Sequence, residues 1–555
     1  RWDDYDPVFL PNGRLAFISE RGGGMQRCGV RPLPSATLHA MMRDGSDILA
    51  LSFHETNEWQ PSVNNEGLIV YTRWDYVDRD SDVAHHLWQC YPDGRDPRSY
   101  HGNYPESRES RPWQEISIRA IPGSTRYVAT ASPHHGQAYG SLVLIDVRQK
   151  DDRRMSQLKR ITPEAMFPES EARPGVALPK GKGSGPKAEI YGSAWPLSED
   201  YYLCVYAPGG KGHGLCLLDS FGNREMLYRD PAIGCLDPIP LRARLRPPEI
   251  PTATRQAQAD RAGQADVTSG TVVVMNVYES EQPWPKDTKI KELRVIALYP
   301  KDNVFLNEPD MGHAAQSLGR GVLGTVPVEA DGSAYFAMPA GMAVYFQALD
   351  ERGLCVQNMR SDTYVHPGEK LTCIGCHEDK HAASRPASGA APLALKRAPS
   401  AITPEAPGSF PLTFPRLVQP VLDAKCVACH DKHPDKAPSL RGDRFVAKSG
   451  WSEAFSSLQK KAWGMSGGNG TALQQRQYSI PGQDGARASA LYQMLAKGHK
   501  DVKLTPEELR RVTLWLDCNS NFYAAYSSPA QQARGEVVRP RWGIPPWADF
   551  EKLVR

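Results

Sequence analysis

The sequence contains the pentapeptide Cys-x-x-Cys-His twice, at residues 373–377 and 426–430. This spacing is the attachment signature of c-type haem, in which two thiols form thioethers with the porphyrin and the adjacent imidazole can bind the iron. The alternative, a four-cysteine zinc site, usually has its cysteine pairs about 15–20 residues apart, whereas these motifs start 53 residues apart. We therefore predict two covalent haem c groups, with the attachment and ligand residues Cys373, Cys376, His377, Cys426, Cys429 and His430.

The second haem needs a further axial ligand on the side opposite His430. His499 lies 69 residues after His430 and six before Thr505, where the last helix is predicted to begin. In small c-type cytochromes the loop before the C-terminal helix supplies this ligand, so we predict that His499 binds the iron. Met465 and Met494 are the alternatives, but Met494 is expected inside a helix with apolar neighbours. Two imidazoles would give a closed, low-spin iron suited to electron transfer.

The first haem motif follows strand-like segments and precedes a linker, so no cytochrome helices surround it. Its distal side must face the regions before it in the chain. If a side chain there reaches the iron, the haem only relays electrons; if none does, the haem can bind a small molecule. The main candidates near this haem are His134 and His135, which follow a predicted strand, and His381, which follows the motif. The other histidines in these regions are His85, His86, His313 and His366.

Residues 1–245 are predicted to form a β-propeller. Residues 7–17 resemble residues 61–71 at an offset of 54, and a second element with an Asp-Gly tip occurs near residues 45 and 94. Asp-Gly between strand-like segments predicts hairpins, and hairpins that recur about every 50 residues predict propeller blades. Four blades can be recognised in the sequence, and we expect six or seven in total.

Residues 246–381 are predicted to form a middle, sandwich-like β domain that carries the first haem. Residues 382–412 are rich in Ala, Pro and Ser and are predicted to be a linker. Residues 413–555 are predicted to form an α-helical cytochrome c domain, whose last helix begins with a capping box at residues 505–508 and has proline at its first position. The predicted fold is therefore multidomain and mainly β, with a helical C-terminal domain.

Composition sets the class of protein. The 555 residues, 40% of them hydrophobic, can bury several cores, and a net charge of +3 gives no indication of a nucleic-acid partner. No apolar stretch approaches the ~20 residues that span a membrane. Because haem c is attached outside the cytoplasm, we expect an exported, extracytoplasmic protein whose signal has been removed or lies outside this sequence. Among the other cysteines, Cys204 and Cys216 flank a predicted hairpin and are the simplest candidate disulfide.

Over nearly its whole length the chain resembles the hydrazine synthase alpha subunit family. The most specific stretches of this resemblance are residues 324–336, 367–369 and 514–519. The resemblance implies an N-terminal propeller, a middle domain with an unusual c-type haem and a C-terminal domain with a bis-histidine haem. In the synthase, N–N bond formation is assigned to the middle haem, a tyrosine four residues after the motif histidine binds the iron, and the motif histidine turns towards zinc. Here that position is His381, which could replace the tyrosine, or His377 binds iron in the ordinary way.

The sequence thus predicts a dihaem c-type cytochrome. The first haem is a candidate redox catalyst for a small nitrogen substrate, and the second passes electrons to redox partner proteins or other haem-containing subunits. The alternative is a non-catalytic electron-transfer or scaffold subunit whose propeller docks partner proteins. A third reading is a propeller that binds a substrate, with haem as a structural cofactor. Zinc or calcium could lie in the propeller or near the first haem, but no ligand cluster in the sequence specifies either ion.

Overall fold

The computed structural model describes residues 2–28, 32–78, 83–102, 111–136, 138–152, 154–171, 189–257, 267–306, 308–314, 316–377, 391–466, 474–475 and 478–540. The mainly β architecture is confirmed, with helices concentrated after residue 413. His381, predicted near the first haem, lies outside the described residues. No helix in these ranges is both long enough and apolar enough to span a bilayer.

The N-terminal part forms four successive antiparallel units of four strands each. Two of the hairpin turns have Gly45 and Gly94 in the left-handed region, with φ of 83° and 84°, as the Asp-Gly pattern predicts. A parallel contact of β7 with β9 joins the second and third units into one sheet. The strands are β1 (Asp4–Phe9), β2 (Leu15–Ser19), β3 (Thr37–Met41), β4 (Leu49–Ala50), β5 (Glu58–Val63), β6 (Ile69–Trp74), β7 (His85–Cys90), β8 (Arg98–Ser99), β9 (Gln114–Ala120), β10 (Arg126–Ser132), β11 (Ser141–Asp146), β12 (Leu158–Arg160), β13 (Ile190–Pro196), β14 (Tyr201–Ala207), β15 (Gly214–Asp219) and β16 (Arg224–Tyr228).

Each unit packs an apolar face against the next unit in the chain. Leu38 of the first unit shares a core with Tyr71 of the second, and Leu142 of the third shares a core with Tyr202 of the fourth. This is how repeated sheets that cannot bury their faces alone stabilise one another. In the fourth unit Cys204 lies directly opposite Cys216, and the structure has both as free thiols.

The middle region contains two sheets that share one hydrophobic core, which includes Val272, Val295 and Phe336. One sheet has the strand order β20-β17-β23 and the other β19-β18-β21-β22. β17 and β23 are parallel, which sets Cys373 beside Val274. The strands are β17 (Ser269–Val274), β18 (Ile290–Tyr299), β19 (Gly319–Pro327), β20 (Ala334–Pro339), β21 (Val344–Asp350), β22 (Cys355–Asn358) and β23 (Lys370–Cys373).

The segment predicted as a linker is described from residue 391 onward, where it lies along the middle sheets. The amide of Ser400 donates to the carbonyl of Tyr335 at 2.9 Å, and Thr403 forms an antiparallel bridge with Thr325. Composition alone suggested a spacer, but main-chain pairing with the strand edges fixes residues 400–403 in the structure.

The C-terminal region is a set of short helices packed on the outer face of β18. Ile296 and Leu298 of β18 join the helical core, whereas Val295 points into the core between the two sheets, because strand side chains alternate between faces. The predicted capping box is confirmed: the Thr505 hydroxyl accepts from the amide of Glu508, whose carboxylate accepts from the Thr505 amide. The helices are α1 (Phe414–Leu417), α2 (Gln419–Lys425), α3 (Val427–Lys432), α4 (Glu453–Leu458), α5 (Ala490–Lys497), α6 (Pro506–Asp517) and α7 (Pro529–Ala533).

A buried polar network joins the helices to the middle sheet. The guanidinium of Arg294 in β18 donates to Gln347 of β21 at 2.7 Å and to Glu405 at 2.6 Å, and it lies 3.4 Å from Asp517 at the end of α6. Asp517 also accepts from the amide of Cys355 at 3.0 Å. The side chains of Arg294 and Asp517 are fully buried, so the two regions form one packed body.

Candidate functional site

The first Cys-x-x-Cys-His motif is held by main-chain hydrogen bonds to the turn that follows β17. The amide of Asn276 donates to the carbonyl of Ile374, and the amide of Cys376 donates to the carbonyl of Glu279, both at 3.0 Å. Glycine is required at position 375 because a Cβ atom there would lie 2.1 Å from the Glu279 oxygen. The backbone, rather than side-chain packing, therefore sets where the two motif cysteines lie.

The motif opens into a cavity of about 480 Å³ between the N-terminal units and the middle sheets. The motif residues on its wall include Cys373, Cys376 and His377. The apolar part of the wall is formed by Trp88, Val274, Leu293, Phe346, Ala348, Met359 and Leu371, and the charged part by Asp96, Arg98, Lys150, Asp151, Asp152, Glu281 and Asp362. Two thiols and an imidazole at the edge of a cavity with both kinds of wall fit a porphyrin, which has an apolar ring and two carboxylates.

Two cationic side chains of the N-terminal units reach across the cavity edge to the middle region. Arg98 donates from Nη2 to the carbonyl oxygen of Thr372 at 3.0 Å, and its Nε lies 2.6 Å from an Asp96 carboxylate oxygen. The Lys150 ammonium pairs with Glu281 at 2.6 Å. Arg98 and Lys150 could therefore hold the carboxylates of a porphyrin bound at the first motif.

Asp362 supplies a fixed carboxylate on the same wall. Its Oδ2 lies 3.3 Å from Nδ1 of His54, and its Oδ1 forms an ion pair with the guanidinium of Arg73. The Arg73 guanidinium in turn stacks on the ring of Trp88 at 3.9 Å from its centroid. All of these side chains except that of Trp88 are at most 3% exposed. The wall therefore has a carboxylate in a fixed position, whose charge the Arg73 guanidinium offsets.

Glu369 precedes the first motif by four residues and is also buried. It accepts hydrogen bonds from the amides of His366 at 2.8 Å and Asp96 at 3.0 Å. Burial nevertheless raises the pKa of Glu369 to about 7, because desolvation outweighs these hydrogen bonds. The Glu369 carboxyl beside the first motif therefore changes between its neutral and its charged form near neutral pH.

The structure does not bring His134 and His135 into this cavity. His134 Nδ1 lies 2.8 Å from Nε2 of His85, and His135 pairs with Glu169 at 2.9 Å. Neither residue is among those that line the cavity, and His313 and His366 are not among them either. Within the described residues, His377 is the one histidine on the cavity wall.

The second motif lies on the short helices α2 and α3, where Cys429 is exposed and His430 is half-buried. His430 Nδ1 lies 2.7 Å from the carbonyl oxygen of Pro438, so this nitrogen carries the proton and Nε2 is left as a metal ligand. The ring of His499 faces that of His430, with centroids 6.4 Å apart and planes inclined at 50°. A metal bound between two imidazoles at about 2 Å from each nitrogen holds the ring centroids roughly 6 Å apart. The predicted pair His430 and His499 therefore has the spacing that an iron between them requires.

The surroundings of the second motif also fit a porphyrin. Apolar side chains that are only partly buried pack against the helical core around the motif. They include Val427, Tyr492, Met494, Leu495 and Leu504. Met465, an alternative ligand in the sequence, is fully buried in that core. The structure thus favours His499 over Met465 as the residue opposite His430.

Several residues of the first cavity carried no signal in the sequence. Arg98 and Asp362 are 264 residues apart in the chain and line the same cavity because its wall is built by two regions. The fragment Asp96-Pro97-Arg98 reads as an ordinary turn. Only the approach of the second N-terminal unit to β23, through the bond from Arg98 to Thr372, gives Arg98 a role.

Comparisons with known proteins agree with this arrangement. Residues 288–378, from β18 to just past the first motif, match the family model described as the hydrazine synthase alpha subunit middle domain. Hydrazine synthase subunit alpha of Kuenenia stuttgartiensis is 24% identical over 375 residues, which are 50% of this chain and 45% of that protein. The matched part is therefore less than half of the relative's length.

The solved structure of Kuenenia stuttgartiensis hydrazine synthase has a similar fold. It aligns with a TM-score of 0.65 at 17% sequence identity, over 92% of this chain and 78% of the other. At this identity the likeness establishes the fold. It extends beyond the middle sheets to the N-terminal units and the C-terminal helices.

Proposed function

We propose that this chain, which belongs to the hydrazine synthase alpha subunit family by its middle domain, is a two-haem c-type cytochrome with two different haem sites. One haem is attached at Cys373 and Cys376 and is a redox catalyst for a small nitrogen compound. The other is attached at Cys426 and Cys429 and transfers electrons.

The observation that carries this proposal is the contrast in imidazoles between the two motifs. At the second motif two imidazoles, those of His430 and His499, face each other at 6.4 Å. At the first motif the described residues bring one imidazole, that of His377, to the wall of the cavity. Two opposed imidazoles close an iron to other ligands, whereas one leaves a position open.

When bound, a c-type haem supplies one-electron redox chemistry and an axial position for a small ligand. The chain supplies the rest of the first site. Arg98 and Lys150 compensate the porphyrin carboxylates, and apolar side chains such as Phe346 and Leu371 exclude bulk water. The Asp362 carboxylate, fixed by Arg73, can accept a proton from a small nitrogen compound or bind its N–H groups.

The proposal includes the compartment and the partners of the protein. Haem c is attached outside the cytoplasm, so the functional protein is extracytoplasmic. The curated relative is named as a subunit, which supports partner proteins for this chain as well. We propose that such a partner exchanges electrons through the second haem, because Cys429 is exposed at the surface and His430 is only half-buried.

The proposal is tested by titrating the reduced, anaerobic dihaem protein with carbon monoxide and with nitric oxide. We expect binding at one haem per chain, detected by the shift of one of two Soret components. Binding at neither haem would contradict the catalytic proposal and support the alternative, an electron-transfer or scaffold subunit. Binding at both would contradict the assignment of His499.

A further inference from the structure

His86, His101 and Glu115 form a cluster of side chains that could bind a metal ion, and this cluster is separate from both haem motifs. Their side chains are 4%, 0% and 0% exposed. His86 Nδ1 lies 3.2 Å from Glu115 Oε2, and His101 Nε2 lies 2.8 Å from Glu115 Oε1. His86 is in β7, His101 follows β8 and Glu115 is in β9, so the cluster joins the second N-terminal unit to the third.

The outer nitrogen of each ring is already committed to a hydrogen-bond acceptor. His86 Nε2 contacts the carbonyl oxygen of Val83 at 2.5 Å, and His101 Nδ1 contacts Oε1 of Gln157 at 2.7 Å. The Gln157 amide cannot be reversed, because its NH₂ group donates to the carbonyl oxygens of Tyr100 and Gln149. Both outer nitrogens therefore carry protons, and the inner nitrogens, each of which has a lone pair when its ring is neutral, face Glu115.

Lone pairs that face a buried carboxylate need positive charge between them. Two protons would supply it by making both rings imidazolium, but this would place two cations where neither ring is more than 4% exposed, near the guanidinium of Arg111. Arg111 itself lies 3.8 Å from Asp151, which partly offsets its charge. A divalent cation supplies the charge without protonating either ring.

We propose that His86, His101 and Glu115 bind one divalent transition-metal ion, and that this ion is zinc. Two imidazole nitrogens and one carboxylate suit this ion, and ligand atoms from different residues, each about 2.0–2.1 Å from a tetrahedral zinc, lie about 3.3 Å from one another. Histidine ligands whose other nitrogen donates to a carbonyl or amide oxygen are the usual arrangement around protein-bound metals. The three ligands do not include His377.

The position of the cluster gives the ion a structural role. The ion would connect β7 to β9 and to the segment that follows β8. Ser99 and Tyr100, at the start of this segment, line the first cavity. The Ser99 hydroxyl donates to the carbonyl oxygen of His101 at 2.7 Å. Loss of the ion is therefore expected to loosen this part of the cavity wall.

A similar group, His54, Asp75 and Asp362, does not carry the same inference. There Arg73 already supplies the positive charge: its Nε lies 2.8 Å from Asp75, and its Nη2 pairs with Asp362. The guanidinium satisfies both carboxylates and leaves no demand for a metal ion. This group is therefore a matched control within the same chain.

The first test is made on the unaltered dihaem protein. It is equilibrated with zinc, desalted, and analysed for zinc per chain and by X-ray absorption at the zinc edge. We expect one zinc per chain, with nitrogen and oxygen ligands at about 2.0–2.1 Å, two of them imidazoles. Absence of retained zinc, or a sulfur ligand at about 2.3 Å, would overturn the proposal without any variant.

The second test uses variants with equilibrium zinc binding as the readout. Glu115→Gln keeps the size of the side chain but removes the ligand charge, and should abolish retention of zinc. Gln157→Leu keeps all three ligands but removes the acceptor for His101, and should weaken zinc binding about 10–100-fold. The control Asp75→Asn should leave zinc content unchanged. Unaltered zinc affinity in Glu115→Gln, with haem content and circular dichroism intact, would refute the assignment.

Discussion

The two Cys-x-x-Cys-His motifs have the same chemistry in the sequence and very different surroundings in the structure. The first extends a β-strand, is held by main-chain bonds to the turn after β17, and faces a cavity enclosed by two regions. The second lies on short helices, where Cys429 is exposed, His430 is half-buried and the ring of His499 lies opposite that of His430. The motif fixes how a cofactor is attached, whereas the surroundings decide what can reach it.

The largest expected effect is on the second site. His499→Ala removes one of the two facing imidazoles, so we expect the number of haems per chain that bind carbon monoxide to rise from one to two. Met494→Leu, a conservative change of the alternative ligand, should leave the number at one. Retention of a single carbon monoxide site in His499→Ala would mean that another residue closes the second haem.

The first site is expected to be sensitive to backbone changes instead. In Gly375→Ala the new Cβ would lie 2.1 Å from the Glu279 carbonyl oxygen, which neither chain segment can avoid without moving. We expect a loss of stability of about 3 kcal/mol, together with poor haem incorporation at the first motif only. Gly24→Ala is the control, because its Cβ would meet nothing closer than 3.5 Å. Thermal denaturation and haem content per chain check both variants.

The two sites should also differ in their response to pH. Glu369 beside the first motif holds a proton below about pH 7 in the folded state, whereas in the unfolded chain its pKa is near the ordinary 4.5. The folded state therefore binds more protons between these values, and stability falls as pH rises from about 4.5 to 7, by about 3 kcal/mol from this group. Chemical denaturation at a series of pH values should show a flatter profile in Glu369→Gln. An identical profile in the variant would assign the pH dependence to other groups.

The smallest effect is expected at the helix that follows the His499 loop. Thr505→Ala removes the hydroxyl that caps α6, at a cost of about 1 kcal/mol. Ser528→Ala changes an N-cap whose side chain makes no capping bond, and should cost less than about 0.5 kcal/mol. Urea denaturation measures both. Equal losses would show that the capping bond does not contribute.

Local patterns were sufficient for the parts of the molecule that depend on neighbouring residues. The strand pattern predicted the mainly β architecture, Thr505 and Glu508 predicted the capping box, and the position of His499 in the chain predicted that it faces His430. The walls of the first cavity could not be predicted in this way. Arg98 and Asp362 line the same cavity because the second N-terminal unit packs against the middle region, and such long-range packing leaves no periodic signal in the sequence.

The sheet formed by β18 and β21 has a consequence for electron transfer under the proposed function. On one face of this sheet, Leu293, Phe346 and Ala348 line the first cavity. On the opposite face, Arg294 donates to Gln347 and lies 3.4 Å from the Asp517 carboxylate of α6, and Gln347 donates to the Asp517 carbonyl oxygen. This sheet therefore lies between the first cavity and the helical core, to which α2 contributes Val421 and Leu422. Under the proposed function, electrons that pass between the two haems would cross this packed layer.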